Sequence, residues 1–285
     1  MIRWPARLLF ALGEAIGSAA YRLGLRRRVA LDGLRRAFPE RTEAQRRAIA
    51  RAAYRQLGRG LAELVAWRRL TDSELERVVD FVDWDRYEAA RAGRRGVIMA
   101  VTHFGNWELA ARAAVRRGMD LTTITRPLRG ALNERLLAYR RNRGMRELSD
   151  KGSSGAALRL LRRGESLGVV VDQNMLPSRG VFVDFFGTPA CTTPAPAVLS
   201  LRTGAPLFLV FDFRAPDGTH RIRFDGPFSV PPGPNSHSTV VALTQELTRA
   251  VEHVVRAHPE YWFWVHRRWK TRPAAEATLP ARDNP

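Results

Sequence analysis

The chain has few of the residues that build disulfide scaffolds, metal centres or membrane spans. Its one cysteine, Cys191, rules out an intramolecular disulfide and argues weakly against a secreted scaffold; we interpret it as a small core residue. Neither C-x-x-C nor H-E-x-x-H occurs, so the sequence gives no argument for a metal ion or another cofactor. The apolar N-terminal segment is interrupted before it reaches the roughly 20 residues that a membrane span needs.

Lysine is almost absent, and the positive charge comes from arginine. Lys151 and Lys270 are the only lysines among 47 basic residues, which face 28 acidic ones and give a net charge of +19. Such an excess repels itself unless an anionic partner is near, whether nucleic acid, an anionic membrane, an acidic protein or an acidic substrate. Nucleic acid is the least supported, because we find no recognition-helix motif and no aromatic–basic strand signature.

The first 28 residues predict an amphipathic helix followed by a basic cluster. One face carries the polar residues, and the opposite face is apolar and includes Trp4, Leu8, Leu12 and Ile16. The polar set is Arg3, Arg7, Glu14, Ser18 and Arg22, with Arg26, Arg27 and Arg28 behind it. This pattern favours a helix that lies on an anionic membrane surface. Packing against the protein itself is the main alternative; a cleaved signal peptide fits less well because Glu14 interrupts its apolar run.

Residues 29–273 predict a single α/β domain with a mainly parallel central sheet flanked by helices. Its first part, 29–92, reads as helical, with a break at Pro39 and Thr42 as an N-cap. Short apolar runs of strand type, such as Gly96–Val101 and Leu167–Val171, then alternate with helical segments. We expect the tail, 274–285, to be disordered.

The segment Val101–Leu109 carries the strongest candidate site. His103 follows a buried strand, and ligands of open α/β sheets bind at the carboxyl ends of the strands. A helix begins near Asn106, so Glu108 lies about one turn in. We expect Glu108 to reach Nδ1 of His103 and leave Nε2 free as a general base. Free amides at the helix start would favour developing negative charge.

His103-Phe104-Gly105-Asn106-Trp107-Glu108 resembles the H-x4-D/E motif of glycerolipid acyltransferases. It resembles more closely the late acyltransferases of bacterial lipid A biosynthesis, the lauroyl and myristoyl transferases of the inner membrane. Later segments resemble the same family in the same order: Arg126-Pro127, Arg140-Arg141-Asn142-Arg143, Val171-Asp172-Gln173-Asn174, Phe185–Pro189, Leu201–Pro206 and Trp262–Pro273. Counting Arg126-Pro127 and Arg140–Arg143 as one basic block, six blocks in this order identify the family but not the substrate.

The resemblance implies acyl transfer from a thioester to a hydroxyl without a covalent enzyme intermediate. The donor would be acyl carrier protein or acyl-coenzyme A, and the acceptor an anionic glycolipid such as a lipid A precursor, at the cytoplasmic face of the inner membrane. His103 would be the base and Glu108 its orienting partner. Substrate would be bound by residues of the other blocks: Asn106, Arg126, Arg141, Asp172 and Gln173.

Plainer interpretations remain open for several of these residues. Asn106 could cap its helix, Asp172 could cap a turn or pair with an arginine, and Arg141 could be only solvated. His266 reads as structural. For the whole protein, the alternatives are another glycolipid acceptor, such as a phosphatidylinositol mannoside, and a structural membrane protein that has lost catalysis. The intact His103 and Glu108 argue against the latter.

Overall fold

The computed structural model describes residues 4–67, 70–93, 95–125, 137–150, 152–230 and 236–274. Several features named from the sequence fall outside them: Arg3, the side chains of Trp4 and Arg7, Arg126, and the tail beyond position 274.

An all-helical N-terminal part leads into alternating strands and helices. The helices are α1 (Trp4–Arg22), α2 (Arg27–Ala37), α3 (Glu43–Trp67), α4 (Asp72–Val78), α5 (Trp84–Ala92), α6 (Trp107–Arg116), α7 (described over 137–141), α8 (Ser154–Arg162), α9 (Ala195–Thr203) and α10 (His237–Ala257). The strands are β1 (Val79–Val82), β2 (Val97–Val101), β3 (Leu121–Thr125), β4 (Arg146–Ser149), β5 (Ser166–Val170), β6 (Val181–Phe185), β7 (Thr188–Thr192), β8 (Leu207–Arg214) and β9 (His220–Phe228).

The central sheet has seven strands in the order β1-β9-β8-β2-β5-β3-β4. All neighbours run parallel except β8 and β9, which are antiparallel. Alternate residues of β2 enter different apolar clusters, Ile98 in one and Met99 in the other, because successive side chains point to opposite faces of a sheet. The predicted α/β class is confirmed, and β2 ends between β5 and β8.

Some elements differ from the sequence prediction. Residues 72–92 were expected to be helical, but β1 interrupts them at Val79–Val82 and pairs with β9. The short edge strand β4 and the hairpin of β6 and β7 were not predicted. Each of these strands has at most five residues, and its conformation is set by a partner strand rather than by its own periodicity.

Helix α1 packs on α3 through glycines. A Cβ atom at Gly58 would lie 2.1 Å from the carbonyl oxygen of Gly13, so the two backbones approach too closely for any side chain. Glu14 of the predicted polar face contacts Arg59 of α3 at 3.0 Å. The polar face is therefore turned partly toward the protein.

The opposite face of α1 is apolar and exposed. We call it the outer face; its described side chains are Leu8, Ala11, Leu12, Ala15, Ile16, Ala19 and Leu23. Leu12 and Ile16 are each 56% exposed, and Leu61 and Val65 of α3 are likewise exposed apolar residues. Among the described residues no single helix is long and apolar enough to cross a membrane; Leu8–Arg22 and Arg27–Ala37, bent by 87°, meet the criterion only as a pair.

Candidate active site

The segment that follows β2 forms a tight turn and then helix α6. His103 lies two residues beyond the end of β2, and Gly105 adopts a positive φ of 65° before α6 begins at Trp107. The turn 103–106 therefore lies at the carboxyl edge of the sheet, as predicted. The segments beside it come from the neighbouring strands β5 and β8 and from the C-terminal residues 261–263.

The partner of the His103 ring is Asp172 rather than Glu108. The distance from His103 Nδ1 to Asp172 Oδ1 is 2.8 Å, and the backbone amide of His103 donates to Asp172 Oδ2 at 2.7 Å. The indole of Trp262 donates to the same Oδ2 at 3.0 Å. A carboxylate bonded to Nδ1 fixes the tautomer that carries the proton there, so the Nε2 lone pair is available as a base.

Burial and charge act in opposite directions on this pair. Burial lowers the pKa of His103, but the charge and hydrogen bond of Asp172, aided by the charge of Glu108, outweigh it and raise that pKa above its ordinary value. For Asp172, burial alone would raise the pKa. The charge of His103 and the donated hydrogen bonds have a larger, opposite effect, so the net pKa is lowered. Asp172 is therefore a charged carboxylate beside the imidazole.

Aromatic rings and one amide surround the free side of His103. Its ring lies 4.7 Å from the Trp107 ring, edge to face, and 5.6 Å from that of Phe263, measured between centroids. The amide nitrogen of Gln173 is 3.2 Å from Nε2 and can donate to its lone pair. Gln173 is thus the side chain within hydrogen-bond distance of Nε2.

Glu108 does not contact His103 as we expected. It lies in the first turn of α6, is 7% exposed, and accepts two hydrogen bonds from the Arg140 guanidinium, one of them 3.0 Å from Nε to Oε2. Arg140 also donates to Glu147 at 2.7 Å. Burial alone would lower the pKa of Arg140, but these two carboxylates more than offset this effect, so the net pKa is raised. The local reason is competition: a guanidinium offers Glu108 two donors, whereas the imidazole already has Asp172.

Asn106 caps its helix, in line with its plainer interpretation, and Arg141 lies at the surface. Asn106 is 4% exposed; its Oδ1 accepts from the Leu109 amide as the N-cap of α6, and its Nδ2 donates to Glu63 at 3.0 Å. Arg141 is exposed, while its neighbour Arg140 turns inward to Glu108. Within the predicted basic segment, Arg140 is thus the arginine that contacts Glu108, and substrate binding by Arg141 stays a prediction.

The amides at the start of α6 are mostly occupied, contrary to expectation. Those of Gly105, Asn106 and Leu109 donate to the Tyr261 carbonyl, to Asp212 Oδ2 and to the side chain of Asn106. These bonds hold the turn in place, so the three amides cannot also stabilise an oxyanion.

A pocket of about 290 Å³ opens beside the turn. One wall is α3, with Leu57, Gly60, Leu61 and Leu64; the other carries Trp107 and Phe263, the rings that touch His103; Gln56 and Arg214 add polar groups. Apolar walls with a few polar groups beside a candidate base are typical of a site for an amphipathic ligand.

The C-terminal block fixes this edge of the sheet. The amide of Asn174 donates to Nε2 of His266 at 2.9 Å, and burial lowers the pKa of His266 to about 4. His266 is thus a neutral structural acceptor, in line with our interpretation.

Cys191 is buried, and burial raises the pKa of its thiol. Within the described part of the chain no group of three or more His, Cys, Asp or Glu side chains could hold a metal ion.

Sequence reasoning missed Arg140 as a contact of Glu108 and Trp262 as a donor to Asp172. Both residues lie in segments that resemble the family. Which side chain of such a segment points into the site depends on the rotation of its helix and on contacts between segments that are distant in sequence. The one usable signal was the tryptophan density of 262–269, since a buried indole N–H needs an acceptor.

The site thus combines a carboxylate-oriented histidine at the end of a parallel strand with an apolar pocket, an arrangement that suits general-base chemistry on an amphipathic ligand. The family model described as bacterial lipid A biosynthesis acyltransferase matches residues 1–271. The chain therefore belongs to the bacterial lipid A biosynthesis acyltransferases and is an O-acyltransferase, which confirms the family resemblance.

Relatives with named activities resemble most of the chain. A lipid A biosynthesis lauroyltransferase of Escherichia coli K12 is 28% identical over 96% of this chain and 89% of its own length. A lipid A biosynthesis palmitoleoyltransferase of the same strain is 27% identical over 98% and 90%. A phosphatidylinositol mannoside acyltransferase of Mycobacterium tuberculosis is 30% identical over 69% of this chain and 61% of its own.

Replacing Asp172 by asparagine is expected to lower the pKa of His103, because it removes the charge and the hydrogen bond that raise it. A base must be neutral to act, so kcat/KM rises with pH through that pKa; the midpoint of this rise should move to lower pH in Asp172→Asn. The plateau should also fall, because the tautomer is no longer fixed. The measurement is the pH profile of kcat/KM for acyl transfer.

Asp80→Asn is the matched control, since it makes the same charge change on β1 at a side chain that is 68% exposed. Its profile should coincide with that of the unchanged protein. A midpoint in Asp172→Asn that stays in place or moves to higher pH would contradict the assignment of Asp172 as the partner of the base.

Proposed function

We propose that this protein moves a fatty acyl chain from an acyl thioester to a hydroxyl of a lipid A precursor or a closely related glycolipid. The donor is acyl carrier protein or acyl-coenzyme A. The observation that carries the proposal is the His103–Asp172 pair, whose imidazole packs against the aromatic rings that line the pocket and has, among the described residues, only the Gln173 amide within hydrogen-bond distance of Nε2. The family and the lauroyl- and palmitoleoyltransferase relatives support the reaction class.

The proposed reaction needs one base and no covalent intermediate on the protein. The acceptor hydroxyl displaces the Gln173 amide from Nε2 of His103 and gives its proton to that nitrogen as its oxygen attacks the thioester carbonyl carbon. The carbon–sulfur bond of the tetrahedral intermediate then breaks, and the imidazolium returns the proton to the leaving thiolate. Asp172 stabilises the imidazolium between these steps.

Glu108 acts in this proposal through its charge and through Arg140. Its negative charge is among those that raise the pKa of His103, although the two side chains are not hydrogen-bonded. It also holds the Arg140 guanidinium, which is 17% exposed, against the site together with Glu147. A guanidinium fixed in this way can face a phosphate of the acceptor or the thioester oxygen as it becomes negative.

The pocket between α3 and the turn is our candidate seat for the acyl chain. Its α3 wall is apolar, and each methylene that leaves water contributes about 0.8 kcal/mol. Gly60 lines it, and a Cβ atom there would meet nothing within 4 Å. A side chain at position 60 can therefore grow into open space, which makes this position a control point for chain length.

Membrane attachment through α1 and α3 is the third part of the proposal. The outer face of α1 is apolar, and exposed arginines surround the end of that helix, including Arg22, Arg26, Arg27 and Arg28. Apolar side chains in the acyl region with arginines at the headgroups suit an anionic bilayer surface. In this arrangement the protein lies on the cytoplasmic face of the inner membrane, where a lipid acceptor can reach the site.

A phosphatidylinositol mannoside or another glycolipid is the second candidate acceptor. The relative of that name is 30% identical to this chain over 204 residues. Both acceptors are anionic glycolipids with free hydroxyls, so the same base and pocket would serve. Parallel assays with each acceptor, followed by mass spectrometry of the product, separate the two.

His103→Ala should reduce kcat by about 10²–10⁴-fold, the usual range for loss of a general base. Adding Asp172→Asn should cost little more, since groups that act as one unit are not additive. Glu108→Gln should cost less than His103→Ala because the imidazole and its Asp172 partner remain. Transfer from a defined thioester to the lipid acceptor is measured beside melting curves; a folded His103→Ala protein with near-normal turnover would refute the mechanism.

Gly60→Leu should shift the donor preference to shorter acyl chains, because the new side chain fills the pocket. Each methylene excluded should lower kcat/KM for a long donor by roughly fourfold, which corresponds to about 0.8 kcal/mol. Ala48→Leu, an exposed site on the same helix outside the pocket, is the control. An unchanged chain-length profile in Gly60→Leu would place the acyl chain elsewhere.

Leu12→Asp should weaken binding to vesicles of anionic phospholipid, because it puts a charge in the middle of the outer face. The matched control is Val230→Asp, the same kind of change at an exposed apolar residue remote in sequence from α1. Flotation of the full-length protein with the vesicles is the measurement. Point changes are cleaner than truncation here, because removing α1 would also uncover the face of α3 that packs against it. Equal flotation of both variants and the unchanged protein would exclude this surface.

A further inference from the structure

A second histidine–aspartate pair lies beneath the active site. Nδ1 of His220 on β9 is 2.8 Å from Oδ1 and 2.9 Å from Oδ2 of Asp212 on β8. The two residues are 0% and 1% exposed, and the Trp67 ring packs edge-on against the imidazole at 5.0 Å. A pair sealed in this way cannot touch a substrate, so its effect on the reaction has to pass through what it holds.

What Asp212 holds is the turn that carries His103. Its Oδ2 accepts the backbone amide of Asn106 at 2.6 Å. At Gly105, a Cβ atom would lie 2.1 Å from the carbonyl oxygen of Asp212, so the turn and β8 are in backbone contact. Asp172 grips the same turn at the amide of His103. Since β5 and β8 flank β2, one buried aspartate holds the turn from each side.

Glu63 connects the α3 wall of the pocket to the turn through hydrogen bonds. It lies on α3, is 0% exposed, and accepts from Nδ2 of Asn106 at 3.0 Å. It also accepts Nε and Nη2 of Arg214, both at 2.6 Å, and Arg214 lines the pocket. Helix α3 and strand β8 therefore converge on one residue, Asn106, which bears the N-cap of α6.

Each buried charge of this hydrogen-bond network has partners of opposite charge. Burial alone would lower the pKa of His220, but Asp212 and Glu63 more than offset this effect and raise the pKa to about 9. Burial alone would raise the pKa of Glu63, but His220 and Arg214 more than offset this effect and lower the pKa to about 2. Asp212 faces His220, and Glu63 faces Arg214 and also Arg59 at 3.3 Å, so each buried carboxylate has a basic partner, which is the condition under which buried charges are tolerated.

We propose that Asp212 is a positioning residue that, held by His220, fixes the Gly105–Asn106 turn and so sets Trp107 against His103 and the pocket. The proposal rests on the proposed acyl transfer. Trp107 follows Asn106 directly, touches the His103 ring and lines the pocket. If the turn relaxes, the base and the acyl seat lose their relative placement, and a misplacement of about 1 Å can cost on the order of 10²-fold in rate.

The test compares substitutions at His220, which lies outside the pocket and does not contact His103. The amide nitrogen of an asparagine occupies roughly the place of Nδ1 and can donate to Asp212, whereas leucine cannot. His220→Leu should lower kcat by about 10–100-fold with KM for donor and acceptor unchanged within about threefold, and His220→Asn should restore most of the loss. Rates are referred to the folded fraction from melting curves.

Equal kcat in His220→Leu and His220→Asn, or a normal kcat per folded molecule in His220→Leu, would overturn the proposal. If the leucine variant does not fold, His220→Gln replaces it, because its amide reaches the place of Nε2 rather than Nδ1; it should be slower than His220→Asn, and equality would again overturn the proposal.

Hydrogen exchange at the Asn106 amide gives a readout that does not need activity. Exchange should speed up in His220→Leu or His220→Gln and stay slow in His220→Asn, with the amide of Ala113 in the middle of α6 unchanged in all three. An unaltered Asn106 amide in the variants that lack the Nδ1 donor would contradict the proposal. Absence of acyl transfer by the unchanged protein would contradict the proposed function instead, and the exchange result would still decide the role of Asp212 in holding the turn.

Discussion

The buried carboxylate of Asp172 is the constraint on which the active edge depends. A charged group that is 5% exposed must be compensated, and Asp172 is compensated by the amide and ring of His103 and by the indole of Trp262. Satisfying it therefore brings together the turn after β2, the end of β5 and the C-terminal segment. The same contacts fix the tautomer of His103, so the interactions that stabilise this edge also orient the base that we propose.

Helix α3 connects the site to the surface that we propose meets the membrane. It packs on α1 through Gly58, lines the pocket with apolar residues, and sends Glu63 to Asn106. An acyl chain bound along α3 would thus lie between the lipid-facing helix and the catalytic turn. The net charge of +19 fits this arrangement, since the membrane surface, the glycolipid and either acyl donor are all anionic.

The sequence predicted the parts of the site that local patterns determine. The apolar run 97–101 had to be a buried strand, and the Asn106 cap had to start a helix, which placed His103 correctly. The partner of His103 could not be predicted in this way. Glu108 is near in sequence, but the choice of Asp172 follows from β5 lying beside β2, and the capture of Glu108 follows from the position of Arg140. Strand order and side-chain competition are tertiary properties, which also explains why β1 and the contact between Asp212 and Asn106 were not predicted.

We expect His103 to act as a neutral base with its proton on Nδ1, toward Asp172. Nitrogen NMR of the protein with ¹⁵N-labelled histidine measures this directly, because protonated and unprotonated ring nitrogens have distinct chemical shifts. We expect the neutral ring of His103 to carry its proton on Nδ1 and to become doubly protonated at a pH above the ordinary pKa of histidine. A neutral ring protonated on Nε2, or a ring that titrates below that value, would contradict the assignment of His103 as a base oriented by Asp172.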